Sequence, residues 1–539
     1  MRPVTMNAKP KAVVWLDART GKGVTLDGRT AETVIKMRRK TPALDDLLDT
    51  AALCGAEWIM LTGGEPKPPA GTDNWLDTPT PNWTHGDHHR GDDKRGRYLS
   101  TLTGQRIDVS TASAWFGDAP LTPVLASRAW TGLRYYLNRA EPHMTTPLMS
   151  PGLTGSMLWA HGVNERSGQR FDPMPVDSEI AELLHATSGQ HHIEHLVAGP
   201  NASDHPDTVA LVDPKKTPTI DTFAKSDGRF MYAAHCAELG VGPARLLDRA
   251  EANDLWLHQG SQGKFAKARY RVKFTVPHTW PHIGILGVRD PNHKPEWYYP
   301  NRPGATGETW ADHRELIVAE NFGWGIEPLE AIRFTEKMRP LDTFAERIKR
   351  LRREVSESEN IDPVLVQAIT AALRTILIHG IGRLMMRGKE TPLSVASVDD
   401  VPADTPSKPI NGRYVYTGRL ELSPAEKTRY HPELAAQVWG WSRAQVLSSK
   451  IPTGSDRRAG ALHVDPRTLL GIHGDAIYTS AVPPWALPVA HGGADDGKEG
   501  RIRLQGFLQG EIKMPTTTTQ RDALEKKAAA AGPSAAWET

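Results

Sequence analysis

Near the N-terminus the apolar positions fall into strand-like runs separated by a helical one. Residues Lys11 to Asp17 (KAVVWLD) predict a buried strand, and Gly21-Lys22-Gly23 followed by Val24-Thr25-Leu26 predicts its hairpin partner. A helix is expected from about Ala43 to Cys54 and a second strand from Glu57 to Thr62, which together make a small α/β layer. The pattern breaks at Gly63 into a polar tract rich in Pro, Gly, Asp and His, running to about Arg97 and expected to be loop. Turn-rich stretches at 200–219, 290–307, 402–411 and 492–500 mark later boundaries. Two long helical patterns follow. One runs from Leu341 to about Val355; the other opens at Asp362-Pro363, a cap followed by a first-turn proline, and runs to about His379. The short gap between them predicts an antiparallel helical hairpin. The tail from Met514, with four threonines, a short helical stretch over Ala523 to Ala531 and Pro533, is expected to fray. No internal repeat is found.

With 539 residues, about 150 residues per domain suggests three to four domains. The 39% hydrophobic and 24% charged content is enough for several cores and excludes wholesale disorder. No run reaches the roughly 18–20 apolar residues of a membrane span, and the five apolar residues at 12–16 are too few for a signal-peptide core. A cytoplasmic location without a membrane partner is therefore expected. Two cysteines, Cys54 and Cys236, exclude a disulfide framework and a multi-cysteine zinc site. Lys+Arg 65 against Asp+Glu 63 leaves a formal charge of +2, so any nucleic-acid surface must come from local clustering.

One such cluster is Arg347, Lys349, Arg350, Arg352 and Arg353, five cations in seven positions, ordinarily the solvated face of a helix. Two histidine groups, His85 with Asp87, His88 and His89, and His191 with His192 and His195, have spacing that could hold a metal, but both read better as polar surface. Gly21-Lys22-Gly23 lacks the spacing of a phosphate-binding loop.

Three segments carry more. Phe223 to Ala233 (FAKSDGRFMYA) places Asp227 at a strand end and Tyr232 five positions later; Arg374 to Gly382 (RTILIHGIG) ends the second hairpin helix; Leu469 to Thr479 (LLGIHGDAIYT) sets Asp475 between two apolar half-strands. Their order and spacing resemble family B DNA polymerases. Against that family's Asp-x-x-Ser-Leu-Tyr-Pro palm motif, Asp227, Met231 and Tyr232 match, while Phe230 replaces Ser and Ala233 replaces Pro. Against its fingers motif Arg374 and Gly382 match, with Ile378 and Ile381 in place of Asn and Tyr. Against its Asp-Thr-Asp-Ser motif Asp475 falls on the second Asp, with His473 at the first and Ala476 at the Ser. Trp310 to Leu316 (WADHREL) with the strand from Ile326 to Phe334 is similar to the segment leading into the fingers, Pro432 to Leu447 to the helix before the last motif, and Thr187 to Gln190 to a template-binding turn that keeps only Gly189. The likeness covers about residues 185 to 480.

The resemblance implies a multidomain α/β and α+β chain. An RNase H-like layer (1–150) would precede a palm built on an antiparallel sheet (151–338 and 386–484), helical-hairpin fingers (339–385) and a reduced thumb with a flexible tail (485–539). It implies a template-directed DNA polymerase in which Asp227 and Asp475, helped by the carbonyl of Gly228, hold two Mg²⁺ ions, with Mn²⁺ as a substitute. Arg374, Arg347 and Arg350 would clamp the triphosphate, Tyr232 would exclude a 2′-hydroxyl, and Gly189, Arg501 and Arg503 would follow the DNA. Partners would be primer–template DNA, dNTPs and a replication or terminal protein. The family's exonuclease begins with Asp-x-Glu; here Asp17-Ala18-Arg19 stands instead, and an arginine cannot ligate a metal, so proofreading is not expected. Two other readings compete: a noncatalytic polymerase-fold protein for DNA binding or replication initiation, which the motif substitutions fit, and a metal-dependent nuclease using Asp17, which lacks partner carboxylates. Both Asp ligands are useful only if their strands are neighbours, which the sequence leaves open, as it does the primer type and the oligomeric state.

Overall fold

A computed structural model describes residues 11–36, 39–72, 74–86, 95–142, 144, 146–162, 175–188, 194–196, 205–258, 267–292, 296–388, 390–402, 405–410, 412–451 and 458–533. The chain divides into two units, Met1–Arg170 with Thr343–Arg383, and Phe171–Asp342 with Leu384–Thr539.

In the first unit β1 (Val13–Asp17), β2 (Lys22–Thr25), β3 (Thr30–Glu32), β4 (Trp58–Thr62), β5 (Trp83–His85), β6 (Arg95–Ser100) and β7 (Arg106–Thr111) form one sheet ordered β3-β2-β1-β4-β7-β6-β5. The β1–β4 and β4–β7 pairs are parallel and the rest antiparallel. The apolar run of β1 follows from burial on both faces. On one face α1 (Leu44–Leu53) packs Leu44, Leu47 and Leu48 with Val14, Leu16, Ile59 and Leu61. On the other, after a short α2 (Ser113–Phe116), α3 (Pro123–Ala140) brings Trp130 to 5.3 Å from Trp58 and 4.9 Å from Trp115. Two strands, β5 and β6, occupy the tract expected to be loop. Their cores are Trp83 and Tyr98, spaced among polar residues that face outward, so composition concealed them.

The helical hairpin forms as expected, from α9 (Asp342–Ser356) and α10 (Pro363–Arg383). It clusters with the first unit rather than standing apart as fingers, and residues 151–162 join it there instead of in a palm. The reason is close packing of α4 (Pro151–Gly162) on α10, where a Cβ on Gly155 would lie 2.1 Å from the Ile376 carbonyl oxygen. An 18-residue window of α10 has mean hydropathy 1.7, enough by length and composition to cross a membrane; here Leu365, Ala368, Ile369, Ala372, Leu373 and Ile376 are buried within the unit.

The second unit has two main sheets. One is β10 (Leu239–Leu247), β15 (Gly325–Met338), β11 (Ala268–Thr275) and β14 (Thr306–Asp312), in that order. The other is β23 (Ile502–Lys513), β9 (Thr219–Gly228), β22 (Ala476–Thr479), β21 (Leu469–His473) and β8 (Glu194–Leu196). A common core joins Tyr270, Val272 and Phe274 of the first sheet to Ile472, Ile477 and Leu504 of the second. Helices α5 (Ser178–Thr187), α6 (Met231–Ala234), α7 (Arg249–His258), α8 (His313–Asn321), α11 (Pro424–Lys427) and α12 (Pro432–Leu447) belong to this unit. Gln437 of the nearly enclosed α12 ties it to β10 through both the N–H and C=O of Gly240, at 2.7 and 2.9 Å. Smaller ribbons are β12 (Val288–Arg289) with β13 (Trp297–Tyr298), β16 (Glu390–Val395), β17 (Ser407–Ile410) and β18 (Arg413–Arg419) together, and β19 (Ser449–Lys450) with β20 (Arg458–Ala459).

Beyond residue 485 the structure differs from the expected thumb and frayed tail. Strand β23 pairs with β9 along its length, and α13 (Thr518–Ala531) lies across both with Ala528 fully buried. Gly506 permits this, because a Cβ there would meet the Ala528 backbone at 2.4 Å.

Candidate active site

The strands of the two expected carboxylates are neighbours. Asp227, next to last in β9, lies in register with Ala476 of β22 on one side and Arg503 of β23 on the other. The β21–β22 hairpin closes at the His473–Ala476 pair, leaving Gly474-Asp475 as a two-residue turn. Gly474 takes φ 60°, the left-handed value such turns place at glycine. Asp475 thus sits at the strand tip, where its carbonyl accepts the Gly228 N–H at 3.2 Å. Its carboxylate lies close to Gly228 too, since a Cβ on Gly228 would be 2.9 Å from Asp475 Oδ2 and 2.8 Å from Met231 Cβ. Any larger residue at 228 would push the acid away.

Asp227 is 8% exposed, yet its carboxylate accepts no hydrogen bond and makes no ion pair among the described residues. A largely enclosed carboxylate is normally paired or given a cation in native structures. Just beyond, Phe230 has φ 49° and ψ 46°, the one non-glycine among the described residues with positive φ. That conformation costs about 1–2 kcal/mol and is held by burial of the ring. It turns the chain from β9 into α6, which carries the half-buried Tyr232.

Side chains alternate along a strand, so Lys225 shares the face of Asp227, as does its register partner Tyr478. This face receives α13. Glu525 accepts from Lys225 Nζ at 2.5 Å and from the Tyr478 hydroxyl at 2.6 Å, and the Arg521 guanidinium lies 4.9 Å from the Tyr478 ring centroid. Burial works to raise the Glu525 carboxyl, but the bonds from Lys225 and Tyr478 outweigh it and hold the group below its ordinary value. Burial and the same carboxylate push the Tyr478 phenol up. None of these four residues was singled out from sequence; the alternation of β9 alone would have placed Lys225 beside Asp227.

The other expected site residues are dispersed. Arg501 is paired with Asp496 at 3.0 Å, while Arg503 stands opposite Asp227. Arg347, Arg350 and the half-buried Arg374 belong to the first unit, where Arg347 reaches the buried Glu141 at 3.4 Å and Arg350 lies 3.8 Å from Glu354. For Arg347 and Arg350 a phosphate-clamp role thus competes with ion pairs already formed. Gly189 lies outside the described residues, as do Asp87 to His89 and His191 to Ile193; His85 lies on β5 and His195 on β8.

The grouping of three metal-type ligands found among the described residues is His473, Asp522 and Glu525, with ligand atoms within 4.8 Å of one another. Arg521 Nη2 is already 2.7 Å from Asp522 Oδ1 and 3.5 Å from His473 Nδ1, and Lys225 holds Glu525. Two cations balance two carboxylates there, so the guanidinium serves as the resident cation. Asp17, the acid of the nuclease reading, accepts the Arg19 and Thr20 N–H groups at 2.9 and 2.8 Å and caps the turn after β1.

No protein-family model matches the chain, and no curated protein matches it. Among solved structures, an orthorhombic crystal form of Phi29 DNA polymerase, a protein-primed family B enzyme, matches 93% of this chain and 85% of its own at 10% identity, with a TM-score of 0.49. The complex of Phi29 DNA polymerase with primer–template DNA and incoming nucleotide substrates matches over the same shares at 10% identity, with a TM-score of 0.48.

Proposed function

We propose that this chain is a template-directed DNA polymerase of the family B type, transferring deoxynucleotides at the tips of β9 and β22. The observation that carries this reading is the pair of acids at adjoining strand ends, one of them, Asp227, buried with no protein donor. That donor set suits a hard, oxygen-seeking divalent cation, and Mg²⁺ or Mn²⁺ bound there would lower the pKa of an attacking 3′-hydroxyl and neutralise the leaving phosphate. Asp227 and Asp475 would hold the ions, Gly228 leaves room for the Asp475 carboxylate, and Tyr232, carried into α6 by the strained Phe230 turn, would lie beneath the incoming sugar and favour deoxynucleotides. The order β3-β2-β1-β4-β7, with its mix of antiparallel and parallel pairs, supports an RNase H-like reading of the first unit. With Asp17 engaged in a turn, that layer acts as scaffold or DNA surface, without proofreading. Cytoplasmic residence and a protein primer partner belong to the same proposal.

A second reading, a noncatalytic DNA-binding protein on this fold, is favoured by α13, which covers the sheet face that Asp227 shares with Lys225. Primer extension with Mg²⁺ and each dNTP separates the two. Template-directed extension by wild type, lost in both Asp227→Ala and Asp475→Ala, is the expected result. No extension by wild type alongside retained DNA binding would establish the second reading instead.

A further inference from the structure

A second cluster in the same unit concerns how a nucleic acid would be held. Trp441 of α12 is 2% exposed, and two cations lie against its indole: Lys267 Nζ at 4.2 Å and Arg314 Cζ at 3.6 Å from the ring centroid. His235, which follows α6, and His313 approach the same ring edge-on, at 6.4 and 6.1 Å. The nearby carboxylates are largely committed. Asp312 caps α8 through the Arg314 N–H at 3.0 Å and pairs with His313 at 3.1 Å. Glu238 offers its carbonyl to Lys267 Nζ at 3.1 Å, its carboxylate staying at 3.8 Å. The Arg314 guanidinium itself makes no hydrogen bond or ion pair among the described residues and is exposed. Lys337, exposed on β15, adds a third positive charge near Lys267.

We propose that Lys267 and Arg314, steadied against Trp441, form an anion site for the phosphodiester backbone of a DNA strand. Two like charges held on one ring repel each other, and an anion between them relieves that repulsion. A guanidinium stacked on an indole keeps its planar fork of N–H donors directed outward, the geometry that phosphate oxygens accept. The indole is too buried to stack a base, so the site reads backbone and not sequence. Lys267 is itself only 7% exposed, and burial, and then the charge of Arg314, lower it to about 8 against the opposing pull of Glu238.

The inference rests on the nucleic-acid reading above but not on catalysis, so the test is made in EDTA. Affinity for a labelled single-stranded oligodeoxynucleotide is measured against salt for wild type, Arg314→Ala, Lys267→Met and the double variant. Each lost single-strand contact reduces the slope of log K against log[salt] by about 0.7, so the double variant should lose about 1.4 and bind roughly 25-fold more weakly near 0.1 M salt. Arg314→Lys should recover part of the affinity. Wild-type binding should weaken as pH rises through about 8, where Lys267 loses its charge among Glu238, Asp312, Arg314, Lys337, His235 and His313, and Lys267→Met should abolish that step. Arg314 is exposed, so its alanine variant reports even if Lys267→Met unfolds. Unchanged slope and affinity in Arg314→Ala and the double variant would overturn the site while leaving the polymerase reading intact. Competition by inorganic triphosphate at concentrations that spare the double variant would also overturn it, in favour of a free-nucleotide site. Normal binding with no primer extension would sustain it and sink the polymerase.

Discussion

Replacing Asp227 by asparagine should make the metal-free protein more stable while removing its response to divalent cations. Asp227 is 8% exposed as a residue and its carboxylate accepts no hydrogen bond among the described residues, and an unpaired acceptor so enclosed costs about 1–3 kcal/mol. Asparagine keeps the volume and loses the charge. Arg503, the register partner on β23, works in the opposite sense, since an attractive cross-strand charge pair contributes roughly 0.2–1 kcal/mol. The burial term wins, leaving a net gain of about 1–2 kcal/mol. For a unit of about 330 residues the unfolding entropy is near 0.7 kcal/mol per kelvin, so Tm in EDTA should rise by about 1.5–3 °C. Wild type, but not the variant, should gain about 1.4 kcal/mol when Mg²⁺ is raised to tenfold its Kd, which erases most of the difference. Thermal unfolding of both proteins, with EDTA and with MgCl₂, reads all four values. An asparagine variant that is less stable in EDTA, together with a wild type indifferent to Mg²⁺ and Mn²⁺, would show that Asp227 is a structural acid and remove the basis of the metal site.

Gly228→Ala places a Cβ against Met231 and the Asp475 carboxylate, an overpacking worth about 1–3 kcal/mol; extension and Mn²⁺ affinity should fall by more than that stability loss accounts for, and a fully active variant would mean Asp475 need not lie where it does. Glu525 has a lowered pKa, so its contribution of about 1.5–3 kcal/mol is complete above its unfolded value near 4.3 and is lost as pH falls through the lower folded value. The stability difference between wild type and Glu525→Gln, taken from urea midpoints, should therefore be constant from pH 7 to 5 and shrink toward pH 3, and a gap that widens on acidification would refute the assignment.

Much of this was legible because it is local. The Asp362-Pro363 start and the apolar spacing after it define α10, and the half-strands around Gly474-Asp475 define a hairpin from chemistry within ten residues. What stayed hidden depends on distant partners. Nothing near Arg347 announces Glu141, 206 positions away, so the basic run looked free when its first member was not. Strands β5 and β6 present one buried aromatic each among polar residues, which composition reads as loop. The tail helix was misjudged for a related reason. Its inward face carries Arg521, Glu525 and Ala528, two charges and a methyl, and such a face looks solvated until Lys225 and Tyr478 are seen to meet it.

On the polymerase reading, that polar face bears on how a primer terminus would reach Asp227. If α13 were a lid, lifting it would break the Lys225–Glu525 pair, uncover Met514, Ala528 and Phe223, and leave Arg521 without its place over Tyr478. Separating this part-buried charged pair costs about 1.5–3 kcal/mol, and uncovering Met514, Ala528 and Phe223 adds to that, so an open state would be a minor one. A helix so held acts as a wall. Lys225 is then spent on Glu525 and is not available to DNA. Three of the substitutions that separate this chain from the family pattern, His473, Ala476 and Phe230, flank the tips of β9 and β22, whereas Ile378 and Ile381 lie on α10. With Lys225 committed to Glu525, the cations around Trp441 are one place in this unit where the proposed DNA strand could be held, and the salt dependence of DNA binding, measured without metal, tests it.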